Sequence, residues 1–435
     1  MFKTLANALK IKEIRNGILF TLFIIIIIRF GSLIPAPFID QAKVNAFFKR
    51  DEFNLINAFT GGSFTQMTLF ALGVTPYITS SIIMQLLTIA IPALEEMQKD
   101  GDDGRKKMAA ITRVVSILLA VIESIGLTIG FNREGFITKT GFAPVSVIII
   151  TLTAGSALVM WLGERISEKG VGNGISIVLL ANIVARMPID FKNLYDMFVK
   201  GKDVVHMIYS IAIIAAVIIL TTVLVIILQD AERRIPVSYA QKMQGRRMVG
   251  GKSSYIPLKV NTGGVMPIIF ASTLISVPTI MLNLFNVKVK STFWSKVLHG
   301  LQQDNWFKPG YGYAYIGLVI YVLLVIFFAY FYTSITFNPM EVSNNLKKSG
   351  GFIPGIRPGK PTQEYLNRVL NYIVIIGVIG LIIIAIIPIF FSGRFSADVS
   401  FGGTSLIIIV GVIIETIKQI ESKMVVRNYN GFLND

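Results

Sequence analysis

The sequence predicts an all-α integral membrane protein with ten transmembrane helices. The helices form two inverted pseudo-symmetric halves around a central pore, with a re-entrant half-helix plug. The first observation behind this prediction is composition, because 53% of the 435 residues are hydrophobic and only 15% are charged. An average soluble domain carries roughly 25% charged residues. The other two observations are ten long apolar stretches and a set of sequence features that recurs five stretches apart.

The apolar stretches give the helices in order. A hydrocarbon core of about 30 Å is crossed by about 20 helical residues, so each stretch near that length predicts one span. The predicted spans are 17–34, 75–94, 109–130, 143–163, 174–188, 205–228, 264–285, 313–335, 368–391 and 403–420. The first follows several basic residues, as in a signal peptide, but no small-x-small cleavage site comes after it. We therefore interpret it as a mature transmembrane helix.

The formal charge of +16 is interpreted as a topology signal, because Lys and Arg are more frequent in the loops on one side of the predicted membrane. This asymmetry places both termini in the cytoplasm, and no DNA partner is expected. The two longest loops on the cytoplasmic side, about 230–260 and 338–367, are also the most basic. Such loops either set topology alone or dock an acidic partner.

An internal repeat relates the two halves of the chain. Gly61-Gly62 is followed by Pro76, fifteen residues after Gly61, and Gly263-Gly264 is followed by Pro278 at the same distance. Glycine-rich segments likewise precede the fifth and the tenth spans. Because an odd number of helices separates the matching features, we expect an N-terminal half (1–203) and a C-terminal half (204–435) that are inverted in the membrane. This arrangement places a pathway at their interface.

The segment 57–72 is apolar but interrupted by glycine and hydroxyl residues. A helix of some twelve residues reaches only about 18 Å and cannot span the membrane. The segment is therefore either an outer surface helix or a re-entrant element buried in protein. The second alternative predicts a plug in a pore.

Catalytic and metal-binding signatures are sparse. The sequence has no cysteine, and its two histidines, His206 and His299, are far apart. We therefore expect no metal site, no cofactor and no enzymatic activity. The run 245–253 is similar to a phosphate-binding loop but has Gly251 where that motif requires Lys, so we interpret it as a flexible basic loop.

Two ionisable residues inside the predicted spans stand out, because a charge in the membrane is costly and usually functional. Arg29 is near the outer end of the first span, where its long side chain can reach the headgroups without any further role. Glu123 is in the middle of the third span and must face protein or water, or be protonated.

Six short motifs carry a resemblance that runs from the first helix to the tenth. They are Asn173-Gly174-Ile175-Ser176, Pro257-Leu258-Lys259-Val260-Asn261, Phe337-Asn338-Pro339, Asn345-Leu346-Lys347-Lys348-Ser349-Gly350, Pro354-Gly355-Ile356-Arg357-Pro358-Gly359 and Phe401-Gly402-Gly403-Thr404-Ser405. With these motifs the chain resembles the SecY family, the pore subunit of the bacterial protein-conducting channel.

The resemblance implies a channel in the inner (cytoplasmic) membrane that passes unfolded preproteins outward and releases apolar segments into the surrounding lipids. It implies SecE, SecG, the SecA ATPase, the ribosome and signal peptides as partners, with the energy supplied by those partners. The basic loops correspond to docking sites for the ribosome and SecA. The docking residues that we expect are Arg246, Arg247, Lys252 and Arg357.

The resemblance also implies which residues line the path. The family's aliphatic pore ring corresponds to Val74, Ile78, Ile175, Leu179, Ile269 and Ile408. Its plug corresponds to 57–72, with Gly61, Gly62, Phe64, Met67 and Phe70. Its lateral gate corresponds to Thr79, Glu123, Ser272 and Thr273. Two positions depart from the family pattern, because Val74 is smaller than the usual Ile and Glu123 replaces a usual neutral Gln.

Two other classes of protein remain open from the residues alone. An inverted-repeat secondary transporter of a small solute would need a cluster of polar groups at mid-membrane, and the sequence offers few. A structural subunit without a pathway of its own would leave the plug-like segment unexplained.

Overall fold

A helix occupies each of the ten predicted spans. The computed structural model describes residues 8–48, 59–139, 141–201, 203–239, 242–244, 247–249, 254–284, 292–307, 314–395 and 403–431. The ten helices are α1 (Lys12–Gly31), α3 (Thr75–Ala90), α5 (Gly101–Arg133), α6 (Phe142–Lys169), α7 (Gly174–Phe198), α8 (Val204–Asp230), α9 (Met266–Leu284), α11 (Tyr315–Thr336), α13 (Lys360–Phe395) and α14 (Gly403–Gly431). Shorter helices are α2 (Gln41–Phe48), α4 (Pro92–Lys99), α10 (Thr292–Leu301) and α12 (Pro339–Lys348).

Length and hydropathy support a membrane location for most of these helices. Seven of the described helices are long and apolar enough to cross a membrane, and α3 with α4 makes an eighth if the bent pair is one span. α9 contributes a shorter apolar stretch, Met266–Ile275. α14 begins apolar, but its second half carries charges such as Glu415 and Lys418.

The predicted second span, 75–94, is wrong at its end. α3 stops at Ala90, and the chain bends by 109° into α4, which begins at Pro92. Proline lacks an N–H donor and disfavours a helical conformation in the residue before it. Ile91 is accordingly extended, with φ −116° and ψ 108°.

The predicted fifth span, 174–188, is too short. α7 continues through Pro188 to Phe198. The apolar pattern ends near Pro188 because polar residues follow, but a change of polarity marks the end of an apolar face and not the end of a helix.

The loop 230–260 was predicted to be flexible around 245–253, and this prediction is wrong for its described residues. Strands β1 (Glu232–Tyr239) and β4 (Ser254–Lys259) pair antiparallel, and β2 (Lys242–Gln244) pairs with β3 (Arg247–Val249). The strands form because Ile235 and Val237 alternate with exposed residues and bury one face of β1.

The two basic loops fold together as one unit. Strand β5 (Gly351–Phe352) from the second loop pairs with the end of β1, which gives a three-stranded sheet in the order β4-β1-β5. Beneath the sheet, Ile235 and Leu258 pack with Leu346 of α12 and Leu366 of α13. The loops are therefore held as a defined surface at one end of the helix bundle.

Candidate pore, plug and gate

The six predicted ring residues lie in one apolar cluster, to which both halves of the chain contribute. Val74 caps α3 and Ile78 follows one turn later, Ile175 and Leu179 are on α7, Ile269 is on α9, and Ile408 is on α14. All six belong to, or pack against, the same set of buried side chains. The structure therefore brings together residues that are more than 300 positions apart.

Local sequence sets the directions of the first four ring residues. Val74 and Ile78, like Ile175 and Leu179, are four residues apart and so share one face of their helix. α7 begins with an Asn173 cap, whose side chain accepts a hydrogen bond from the Ser176 N–H at 3.3 Å. Pro76 occupies the first turn of α3, where no N–H partner is needed.

The plug segment is re-entrant, as predicted. Its first described residues, 59–60, are helical, and 61–74 form turns with an isolated bridge between Pro35 and Thr68. Their backbone bonds with the chain that follows α1, because Leu69 N–H donates to Ile34 O at 2.8 Å and Ala36 N–H donates to Met67 O at 2.9 Å. These bonds satisfy backbone groups that an isolated short helix would leave unpaired inside a membrane protein. The left-handed backbone of Gly61, at φ 64°, also interrupts a helix at its start.

The predicted plug residues do not all face the ring. Phe70 packs in the ring cluster, and a Cβ on Gly31 of α1 would overlap its ring. Phe64 and Met67 pack in a separate cluster with residues of α5 and α6. Gly62 has nothing within 4 Å of where a Cβ would lie. The segment is thus attached to the N-terminal half on one side and touches the ring cluster on the other.

Two polar residues that sequence reasoning did not assign to the plug hold its start. Asn182 of α7 donates from Nδ2 to the carbonyl O of Phe59 at 3.0 Å. A Cβ on Gly61 would lie 2.9 Å from Nη1 of Arg29 and 3.0 Å from the Asn182 carbonyl O. The interpretation of Arg29 as a side chain reaching the headgroups is therefore wrong, because Nη1 is buried against the plug. In the sequence, Asn182 is distinguished only as a single amide side chain within an otherwise apolar run.

The Arg29 and Asn182 side chains also retain unused hydrogen-bonding capacity. Nη1 of Arg29 and Oδ1 of Asn182 are buried and have no hydrogen-bond partner among the described residues. An orphaned buried donor or acceptor costs about 1–3 kcal/mol. The packing around Gly61, which places Arg29 Nη1 and the Asn182 backbone beside it, must offset this cost.

The predicted gate residues lie on three helices, α3 and α5 on one side of the seam between the halves and α9 on the other, and α5 contacts α9. Thr79 on α3 and Glu123 on α5 are partly buried, and Thr273 on α9 is partly buried while Ser272 is fully buried. The Thr79 hydroxyl donates to the carbonyl O of Thr75 in its own helix, at 3.1 Å. Ser272 is hydrogen-bonded with Tyr321 of α11. Glu123 forms no ion pair with another described residue.

A hydrogen bond that the sequence did not predict crosses this seam. The hydroxyl of Tyr332 on α11 donates to Oε1 of Gln85 on α3 at 2.8 Å. Ile82, one turn before Gln85, packs against the apolar cluster of the C-terminal half. Together with Ile78, these residues form a stripe on α3 at positions i, i+4 and i+7 that faces the other half.

The predicted docking residues differ in how far the structure describes them. Arg357 is exposed, and its loop is fixed by Thr362 Oγ1 donating to the Arg357 carbonyl O and by Ser343 Oγ donating to the Gly359 carbonyl O, both at 2.8 Å. Arg247 belongs to β3. Arg246 and Lys252 lie outside the described residues.

Permanent positive charge also lies on the sheet beside these loops. Arg234 on β1 donates to Glu232 at 2.7 Å, and its guanidinium lies 4.9 Å from the centre of the Tyr255 ring. The hydrogen bond to Glu232 and the nearby Tyr255 raise the pKa of Arg234 above its already high value. Among the described residues, no group of acidic or histidine side chains is arranged to hold a metal ion.

The fold and the site define a multi-span helical membrane protein with an aliphatic cluster at the junction of its halves, next to a re-entrant segment. Comparison with known proteins gives the family. A sequence model of SecY matches residues 68–417. SecY subunits of the protein translocases of Halalkalibacterium halodurans and Bacillus subtilis are 40% and 39% identical, and the alignments cover all of both chains. The chain belongs to the SecY family.

Solved structures support the fold. A SecY channel whose plug domain stabilises the closed state gives a TM-score of 0.64 at 18% identity, with 95% of this chain and 93% of that chain covered. Sec61 in the canine ribosome–channel complex gives a TM-score of 0.61 at 17% identity, with the same coverage. Both resemble this chain in its helical architecture.

Proposed function

We propose that the chain is the pore subunit of a protein-conducting channel in the cytoplasmic membrane, with both termini in the cytoplasm. It passes unfolded secretory polypeptides outward and releases apolar segments sideways into the lipid. The observation that carries this proposal is the gathering of six aliphatic side chains, from four helices and both halves, in one cluster beside the plug. Relatives about 40% identical over their full length are named protein translocase subunits, which supports the same function.

An aliphatic ring suits a path that must pass any sequence. Its side chains offer no hydrogen bonds or charges, so a moving chain is not held at any one residue. A narrow apolar ring also resists ion flow, because water leaves it readily. Val74 makes the ring slightly wider than the larger Ile would.

The plug closes this path from the side of the N-terminal half. Phe70 fills the space beside the ring, and Asn182 and Arg29 hold the start of the segment near Gly61. Opening therefore requires Phe70 to leave the ring cluster and the Asn182–Phe59 hydrogen bond to break.

The halves 1–203 and 204–435 separate along the gate seam to admit a signal peptide. Few side-chain bonds cross this seam among the described residues, and the Gln85–Tyr332 hydrogen bond is one of them. The basic surface built by β1, β5 and the Arg357 loop docks the ribosome and the SecA ATPase, and SecE and SecG complete the complex. These partners supply the energy.

Isolation and reconstitution test this function. The chain, purified in mild detergent, is expected to bring with it small single- or double-span partner proteins. Vesicles containing that complex and the ATPase are expected to protect an added preprotein from external protease. A stable lone monomer that takes up a small solute with saturable kinetics would instead support a secondary transporter.

Glu123 is expected to set how easily the gate opens. A closed seam encloses this carboxyl without a described partner, and burying an unpaired polar group costs about 1–3 kcal/mol. Glu123→Gln is expected to stabilise the closed gate, and Glu123→Leu more so. Export of a reporter with a weakly hydrophobic signal sequence should fall more than export with a strongly hydrophobic one. Ile122→Leu, on the exposed side of the same helix, is the control. Unchanged or improved weak-signal export in Glu123→Leu contradicts the buried-seam interpretation.

Tyr332→Phe is expected to destabilise the closed gate, in contrast to the substitutions of Glu123. It removes the hydroxyl that bonds to Gln85 and little else, and a hydrogen bond contributes about 1 kcal/mol net, roughly a fivefold change in the ratio of closed to open gates. Reporters with weak signal sequences should therefore be exported better.

The matched control for this variant is Tyr330→Phe, two residues earlier on the same helix. Combining Tyr332→Phe with Gln85→Leu separates the bond from other effects. If the effects of the two substitutions on export are additive, Gln85 and Tyr332 do not act as a pair.

A further inference from the structure

The loop between α9 and α11 contains helix α10, whose two ends have different environments. Its last turn packs on protein. A Cβ on Gly317 would overlap the carbonyl O of Gly300, and Trp306 donates its Nε1–H to that carbonyl at 2.9 Å. Its first turn is open, because Phe293 and Trp294 are 68% and 59% exposed. Their rings contact each other edge to face, with centroids 5.9 Å apart.

The packed end fixes the level of α10 along the bundle. Gly317 is the third residue of α11, which begins at Tyr315. At 1.5 Å per residue, Gly300 therefore lies within about 5 Å of the start of α11 along its axis. α10 connects the ends of α9 and α11 that are far from the β-sheet, so it lies at the opposite end of the bundle.

The outer surface of α11 at this level is apolar and exposed. Tyr315, Ile316 and Val319 are each more than half exposed. Because α11 crosses the membrane, this surface faces lipid. The aromatic pair of α10 thus continues the lipid-facing surface of α11 at the edge where that surface begins.

The side chains on the open turn match the chemistry of a lipid headgroup region. Aromatic rings are enriched there, since one part of the layer is apolar and the other is wet. Lys296 is exposed on the same helix, and an ammonium there attracts lipid phosphate. In water, the two exposed rings would forgo the hydrophobic stabilisation that comes from burying apolar area.

We infer that α10 is a membrane-surface anchor. Phe293 and Trp294 insert into the headgroup region of the leaflet at the end of the bundle opposite the β-sheet, and Lys296 faces the lipid phosphates. The connection between α9 and α11 is thereby tied to the bilayer surface. The inference rests on the membrane location of α11 and is independent of channel activity.

Tryptophan fluorescence tests the anchor directly, because the chain has only three tryptophans, Trp161, Trp294 and Trp306. Trp161 is half exposed on α6, whereas Trp306 is fully buried. The full chain carrying Trp161→Phe is reconstituted in phosphatidylcholine–phosphatidylglycerol vesicles, beside a variant carrying Trp161→Phe and Trp294→Phe. The difference between their spectra is the emission of Trp294, and any tryptophan of a co-purified partner cancels.

Lipids brominated high on the acyl chain are expected to remove most of the Trp294 emission, and lipids brominated near the chain end much less. Aqueous iodide is expected to quench Trp294 weakly. Strong quenching by iodide with none by brominated lipid would overturn the inference, because the rings would then face water. Insensitivity to both quenchers would overturn it as well, because protein would then cover the rings. The buried Trp306 provides the unquenched reference in the double variant.

Discussion

Arg357→Glu is expected to abolish polypeptide translocation while the protein still inserts into the membrane and binds SecE. The guanidinium of Arg357 is exposed on a loop whose backbone is fixed by hydroxyl bonds at the carbonyls of Arg357 and Gly359. It is therefore held where it can form a bidentate contact with a carboxylate or a phosphate of a cytosolic partner. A glutamate at this position repels the same group. Preprotein uptake into membrane vesicles measures the effect.

Two binding measurements and two further variants show whether this loss comes from docking. Binding of SecA or of ribosomes to vesicles should fall in parallel with uptake, whereas the amount of co-purified SecE should not change. Arg368→Glu makes the same change of charge on the exposed side of α13 and should have a small effect. Arg357→Lys keeps the charge but loses the planar fork, so it should retain part of the activity. Normal uptake by Arg357→Glu contradicts a docking role.

The helices were predictable from the sequence because about twenty consecutive apolar residues have few other structures open to them. Their ends were less predictable. The bend after Ala90 follows from Pro92, which the sequence contains but which a search for apolar length overlooks. The extension of α7 past Pro188 has the opposite cause, because a helix can leave the membrane and continue among polar residues.

The plug and the basic loops have backbone conformations that local sequence patterns do not predict. Residues 61–74 form turns because their hydrogen-bond partners, such as Ile34 and Ala36, lie in a different part of the chain. The β1–β5 pairing likewise depends on residues more than a hundred positions away. Such partners are set by tertiary structure, so a sequence pattern that favours a short helix or a flexible loop is overridden.

The ring residues were assignable only through family resemblance, because an aliphatic side chain on an apolar helix has the same appearance in a core and in a pore. The Gln85–Tyr332 bond had a weak signal of its own, a polar side chain within the apolar run of α3. Its partner is 247 positions away, and no spacing rule connects the two. Arg29 stands out in the sequence because a charge is costly in a membrane, but its position next to Gly61 is set by the tertiary structure.

Deleting residues 57–72 is expected to make resting channels leak small ions while translocation largely survives. Phe70 packs in the cluster that contains all six ring residues, so its loss leaves the ring without the side chain that fills the adjoining space. An outer surface helix would contribute nothing to this seal. Conductance across planar bilayers, measured without substrate, distinguishes the two, and unchanged conductance in the deletion variant contradicts the plug.

A single substitution at the start of the plug is expected to cause a smaller ion leak without removing the segment. Asn182→Leu breaks the bond from Nδ2 to the Phe59 carbonyl and leaves that carbonyl buried and unpaired. A net loss of about 1 kcal/mol raises the population of displaced plugs roughly fivefold, so the resting leak should fall between those of the parent and the deletion. Gln66→Ala changes an exposed side chain of the same segment and should leak no more than the parent. A leak that appears in Asn182→Leu but not in Gln66→Ala ties the seal to the anchored start of the plug. Equal leaks in both would mean that any disturbance of the segment opens the path, and the Asn182 contact would then have no special part in closing it.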